Sequence, residues 1–266
     1  MRFVLGVALV ALVACVGCGR EPEAGTPKAQ PVAKVADSLP PVAKPELPQA
    51  PPKAEVAAKK ALTPKPTPPE VIDAIKKLGG RVTVDKGTVV AVWLLGPKVT
   101  DAGLVHLEGL TKLKSLVLRY TKVTDAGLVH LKGLTSLEDL TLYGTKVTNA
   151  GLVHLKGLAK LRDLTLYGTQ VTDAGLVHLK GLTKLHLLGT KVTDAGLIHL
   201  KGLTKLEDLV LIGTRVTDAG LVHLKGMPSL QKLVLNATKV TDAGLVHLRG
   251  LTNLEGLALG DTKVTD

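Results

Sequence analysis

From Val99 onward the sequence repeats itself. VTDAGLVHLEGLTKLKSLVLRYTK is followed at Val123 by VTDAGLVHLKGLTSLEDLTLYGTK, and further copies begin at Val147, Val171, Val192, Val216 and Val240. The period is 24 residues, except that the copy at Val171 has 21, and an eighth copy opens at Val264. A fixed period of this size restricts the chain to a solenoid, because each copy is a small unit that buries its apolar faces only against its neighbours. The composition agrees. Of 266 residues, 45% are apolar but only 2% are aromatic. Such an interior is filled by many similar aliphatic side chains, as a layered core requires.

Within one copy, Leu113-x-x-Leu116-x-Leu118 alternates with period two, which predicts a short strand with Leu116 and Leu118 inward. Thr121 follows at the turn. Val123-Thr124-Asp125-Ala126-Gly127-Leu128 then opens a short helix that Thr124 or Asp125 can cap. Leu128, Leu131 and Leu134 face the core at helical spacing, and Gly133 is a natural stop. Stacked copies make one continuous parallel sheet. The pattern Leu-x-x-Leu-x-Leu-x-x-Thr-x-Val resembles the leucine-rich repeat family over residues 99–266. The resemblance implies an α/β solenoid with a curved parallel sheet on its concave side and short helices on its convex side. In that family the turn residue is usually Asn or Cys, whose side chain ladders with neighbouring backbone. Here it is Thr, at 121, 145, 169, 190, 214, 238 and 262, and a hydroxyl is expected to keep that ladder in weaker form. The three-residue deletion around Leu185-His186-Leu187 is expected to shorten a turn or strand and disturb the register of the sheet.

The two ends read differently. Residues 1–18 carry Arg2, then an apolar run from Phe3 to Val13 that has signal-peptide length and is too short for a comfortable membrane span. Leu12-Val13-Ala14-Cys15 resembles the lipobox of bacterial lipoproteins, which implies cleavage before Cys15 and its lipidation, with Cys18 as the alternative. Neither Cys is followed by Asp, which in that resemblance leaves an exported protein of the cell envelope, lipid-anchored on the outer membrane or periplasmic side. Residues 19–68 read as a Pro-rich disordered stalk: thirteen of the fifteen prolines lie between Pro22 and Pro69. Residues 69–98 look like an N-terminal cap, with a helix near Pro69–Leu78 and a strand rhythm beginning at Val92-Trp93-Leu94. The sequence breaks off inside a repeat, which leaves an apolar edge expected to need covering.

Candidate chemistry is sparse. His106, His130, His154, His178, His199, His223 and His247 occupy one repeat position, a row along the convex side. Zinc requires ligands converging from different directions at ~2.0–2.1 Å, which a row of equivalent residues does not supply. No metal or other cofactor is expected. Lys132, Lys156, Lys180, Lys201, Lys225 and Arg249 form a second row, broken by Glu108, in a chain of formal net charge +11. That row suits a solvated face, or a nonspecific field for anionic polymers and lipid headgroups. Nucleic acid is not an expected partner, since basic residues are not interleaved with stacking aromatics. No Gly-x-Ser-x-Gly, phosphate loop or His-Glu-x-x-His occurs, so no enzyme is expected.

The informative positions are those where copies differ. Outward strand positions place Trp93, Arg119, Asp139, Tyr143, Asp163, Tyr167, Asp208 and Ile212 on the concave face, with Tyr120 beside them in a turn. Aromatics and Arg are favoured at binding hot spots. Side-by-side Asp139 and Asp163 repel unless a cation or basic partner joins them. The expected function is noncovalent recognition of a protein or peptide on this strip. The alternatives are a structural envelope component self-associating through the C-terminal edge, and a polyanion or cell-wall binder using the lysine row.

Overall fold

The computed structural model describes residues 68–265. The expected leader, both cysteines and all of the expected stalk but Pro68 lie outside the described residues. A helix α1 (Pro68–Lys77) and a hairpin of β1 (Arg81–Asp85) and β2 (Thr88–Leu95) precede the array. Seven helix–strand units follow: α2 (Asp101–Leu104) with β3 (Ser115–Arg119), α3 (Asp125–Leu128) with β4 (Asp139–Thr141), and α4 (Asn149–Leu152) with β5 (Asp163–Thr165). Then come α5 (Asp173–Leu176) with β6 (Lys184–His186), α6 (Asp194–Leu197) with β7 (Asp208–Val210), α7 (Asp218–Leu221) with β8 (Lys232–Val234), and α8 (Asp242–Leu245) with β9 (Gly256–Ala258). The nine strands form one sheet in chain order. No helix among the described residues is long and apolar enough to cross a membrane.

All pairings from β2 to β9 are parallel, and the leucines sit in register: Val92, Leu116, Leu140, Leu164, Leu185, Leu209, Leu233 and Leu257 lie opposite one another. Leu116, Leu118, Leu128, Leu131 and Leu134 are fully buried, as the periodicities require. Ahead of the array, α1 buries Val71 and Ile75. Strand β1 runs antiparallel to β2, which shields the first edge of the parallel sheet. Lys86 and Gly87, with φ of 46° and 75°, make the tight left-handed turn that such a hairpin needs. At the far side no described strand covers β9, and Leu257 is 41% exposed where its counterparts are buried.

Two expectations about the repeat are corrected. The turn threonines do not ladder between copies. Thr145, Thr169, Thr190, Thr214 and Thr238 each donate to the leucine carbonyl three residues earlier in their own copy, at 2.7–2.8 Å. Each of these hydroxyls closes its own turn. The side-chain link between copies is made elsewhere. Asp101 Oδ1 accepts from Thr124 N at 2.7 Å and its Oδ2 from Thr124 Oγ1 at 2.7 Å. The same bidentate contact joins Asp125 to Thr148, Asp173 to Thr193, Asp194 to Thr217, Asp218 to Thr241 and Asp242 to Thr265. Thr124, Thr148, Thr193, Thr217 and Thr241 also cap their helices, each accepting from the Ala N–H two residues on at 3.2–3.3 Å.

The short copy does not disturb the register. Leu164 pairs with Leu185 and Leu185 with Leu209, in an unbroken sheet. Slipping the strand by three residues would turn Leu185 and Leu187 outward, because strand faces alternate with period two. The deletion is therefore absorbed on the convex side. The helices of the other six copies run on into a 3-10 turn, such as Val129–Leu131 after α3, whereas α5 has none.

Candidate recognition face

The register sorts the outward positions into three rows. At the strand starts lie Ser115, Asp139, Asp163, Lys184, Asp208, Lys232 and Gly256. The middle row holds Trp93, Val117, Thr141, Thr165, His186, Val210, Val234 and Ala258. Just past the strand ends, each backbone N–H of Tyr120, Gly144, Gly168, Gly189 and Gly213 donates to the next copy at Tyr143, Tyr167, Leu188, Ile212 and Asn236. Those acceptors, with Arg119, form a third row that is aromatic and aliphatic over most of its length.

Three residues of that row, Arg119, Tyr143 and Tyr167, come together with Tyr120 beside them in the turn. The Tyr120 and Tyr143 rings meet edge-on with centroids 4.5 Å apart, and Tyr143 lies 4.1 Å from Tyr167. The Arg119 guanidinium carbon sits 4.8 Å from the Tyr143 centroid, and the Tyr120 hydroxyl donates to that of Tyr143. Tyr120 adopts φ of 55° where the next copies carry Gly144 and Gly168, and it is 58% exposed. Burial, followed by the hydroxyls of Tyr120 and Tyr167, pushes the Tyr143 phenol above the ordinary tyrosine range, so it stays protonated. The cluster offers stacked π faces, one cation and hydroxyl groups. Ile212 lies further along the same row, half-buried. Trp93 is half-exposed but belongs to the middle row, opposite Val117, and does not join the tyrosines.

The acids of the first row differ among themselves. Asp139 and Asp163 are directly opposite each other in the ladder. Burial, then the carboxylates of Asp163 and Glu138, push Asp139 above the usual carboxylate range, against the pull of Arg162 and Lys184. Its ionisation thus costs the fold stability above that raised value and nothing when it is protonated in both states. Asp139→Asn is expected to raise the thermal midpoint at pH 7 and leave it unchanged near pH 3. Melting curves at the two pH values check this. Asp208 is already partnered, with Lys232 Nζ at 3.6 Å and His186 Nε2 at 3.9 Å. Burial alone would raise it, but His186 and Lys232 together hold it below the usual range. His186 and Lys232 hold outward positions on the strands either side of Asp208.

On the convex side the histidines stay a row. His130 Nδ1 meets Glu108 at 2.6 Å, and among the described residues no group of three or more His, Cys, Asp or Glu converges to hold a metal ion.

No protein-family model and no curated protein sequence matches the chain. Among solved structures, internalin C2 from Listeria monocytogenes aligns over 74% of this chain and 85% of its own, at 27% identity and a TM-score of 0.57. With nine strands in register and a helix between successive parallel strands, that likeness decides the class. The chain has the leucine-rich repeat fold. Another Listeria monocytogenes internalin, inlF, aligns at 25% identity and a TM-score of 0.45, over 61% of this leucine-rich repeat chain and 52% of its own. The PEPR1-AtPEP1 structure aligns at 18% identity and a TM-score of 0.45, over 69% and 26% respectively.

Proposed function

We propose that this leucine-rich repeat protein is a noncovalent recognition module that binds a protein or peptide on its concave face. The observation that carries the reading is the Arg119–Tyr120–Tyr143–Tyr167 cluster, a stack at the surface of an otherwise repetitive array. Its aromatic and Arg content is that of a hot spot, and the half-buried rings of Tyr143 and Tyr167 lose little rotamer freedom on contact. The charged row beside it, with Asp139, Asp163, Lys184, Asp208 and Lys232, would fix the orientation of the bound segment. The leader of residues 1–18, through Cys15 or Cys18, would hold the array in the cell envelope.

The test is a crosslinking pulldown from native envelopes. One bait is the parent chain, and the other carries Arg119→Ala, Tyr143→Ala and Tyr167→Ala with folding checked by circular dichroism. Capture of a specific protein by the parent and its loss from the triple variant is the expected result. Equal capture by both, or capture of the protein itself alone, would remove the face from the argument and favour the lysine row or the exposed Leu257 edge.

A further inference from the structure

The short copy leaves a notch where the neighbouring copies overhang it. It has a volume of about 580 Å³, on the edge of the solenoid where the strands begin. Ala159 and Lys160 of the preceding copy and Gly202–Lys205 of the following one form its walls, and Gly181 and Thr183 form its floor. A second hollow of about 130 Å³ shares Ala159 and Gly181 with it; Leu155, Leu158, Leu161, Leu179 and Leu182 line it together with Lys156, His178 and Lys180. This hollow marks a missing layer of core. Regular copies place three large apolar residues between helix and strand, as in Leu131, Leu134 and Leu137, or Leu200, Leu203 and Leu206, or Leu224, Met227 and Leu230. The short copy places only Leu179 and Leu182 there, having lost its 3-10 turn. The neighbours register the loss: Leu155, Leu158, Leu161 and Leu179 are 4–5% exposed, whereas Leu131, Leu134, Leu137, Leu200 and Leu206 are fully buried.

The mouth of the notch is basic. Lys160, Arg162 and Lys205 are exposed there, and its one acid, Glu138, is held by Arg162 at 2.6 Å. Among the described residues neither Lys160 nor Lys205 has an ion-pair partner. We propose that this notch is a docking slot for an acidic partner segment bearing an aliphatic side chain. The aliphatic group enters the leucine-lined hollow and replaces the missing core residue. An adjacent carboxylate meets Lys160, Arg162 and Lys205. The apolar half supplies burial of surface that the fold leaves uncovered, and the charged half selects the sign of the partner. The slot lies at the strand starts, at the opposite border of the sheet from the tyrosine row, so the two surfaces act independently.

A random dodecapeptide display library panned on the full-length protein tests this. The counter-target carries Glu-Asp-Leu inserted between Leu185 and His186, which restores the 24-residue length and fills the notch. Peptides enriched on the parent are expected to carry Asp or Glu within two positions of Leu, Ile, Val or Met. They are expected to bind the filled variant, and separately Lys160→Glu with Lys205→Glu, roughly tenfold more weakly or worse. The Arg119→Ala, Tyr143→Ala, Tyr167→Ala variant is expected to keep the binding, which separates this slot from the concave face. No enrichment, enrichment without acidic residues, or binding retained by the filled variant or by the double lysine variant would overturn the proposal.

Discussion

Replacing Leu209 by alanine is expected to destabilise the array by about 3 kcal/mol, read as a lower urea midpoint with an unchanged slope. Leu209 is fully buried in β7, between Leu185 on one side and Leu233 on the other. Each of those neighbours is held by its own ladder partners, so neither is free to move into the space that alanine leaves. The cost therefore approaches that of a rigid cavity. The same substitution at Leu257 in β9, which is 41% exposed, is expected to cost less than about 1 kcal/mol, because much of that side chain already faces water. The contrast follows from the architecture. In a solenoid each layer contributes its own packing plus a nearest-neighbour interface, and an inner layer has two interfaces while an outer one has one. Equal losses at the two positions would contradict this layered account of stability.

Most of the fold was legible because each copy states two periods at once. Leu116 and Leu118 alternate as a strand requires, and Leu128, Leu131 and Leu134 recur as a helix requires, so repetition fixed both faces. The hairpin strand β1 was not read, although Arg81-Val82-Thr83-Val84-Asp85 alternates, because its side chains are largely exposed and no core demands the strand. The short copy was misread for a related reason. Its three missing residues are visible in the sequence, but sequence alone aligns them beside His186 in the strand. The buried alternation of Leu185 and Leu187 pins that strand, and the loss moves to the convex turn, where no pairing register holds it. For the recognition face, the outward positions were legible from alternation, whereas the contacts were not. Tyr120 joins Tyr143 only because it takes a left-handed turn that its neighbours fill with glycine, and Trp93 stands apart because it occupies a different row.

The largest effect after core truncation is expected at a residue that looks like an ordinary helix cap. Asp194→Ala should cost about 2–3 kcal/mol, while Asp194→Asn should cost less than about 1 kcal/mol. Asp194 accepts two hydrogen bonds across to the next copy, from Thr217 N and Thr217 Oγ1, both at 2.7 Å. Alanine leaves both donors without that acceptor in a partly buried seam, and one of them is a backbone amide. Asparagine does not, as the chain itself demonstrates. At the equivalent position Asn149 accepts from Thr172 N at 2.9 Å and donates through Nδ2 to Thr172 Oγ1 at 2.8 Å. The hydroxyl simply reverses role, and what is lost is the helix cap, since Thr172 makes no side-chain cap bond.

The glycine at the fifth position of each copy belongs to the same device. A Cβ built on Gly220 would lie 2.4 Å from Asp194 Oδ1 and 3.0 Å from Leu197 Cδ1. Gly220→Ala must therefore push the carboxylate off Thr217, and its expected cost is about 2 kcal/mol. Gly202→Ala, where nothing lies within 4 Å, is expected to leave stability nearly unchanged. If the carboxylate is the shared cause, the losses from Asp194→Ala and Gly220→Ala should not add. Removing the carboxylate first relieves the shortest of the three contacts and leaves those with Leu197 Cδ1 and, at 3.2 Å, the Cα of residue 194, so the double variant should be more stable than the sum of the singles predicts, though less stable than Asp194→Ala alone. Full additivity in urea denaturation would mean that Gly220 is required for some reason other than the Asp194–Thr217 link.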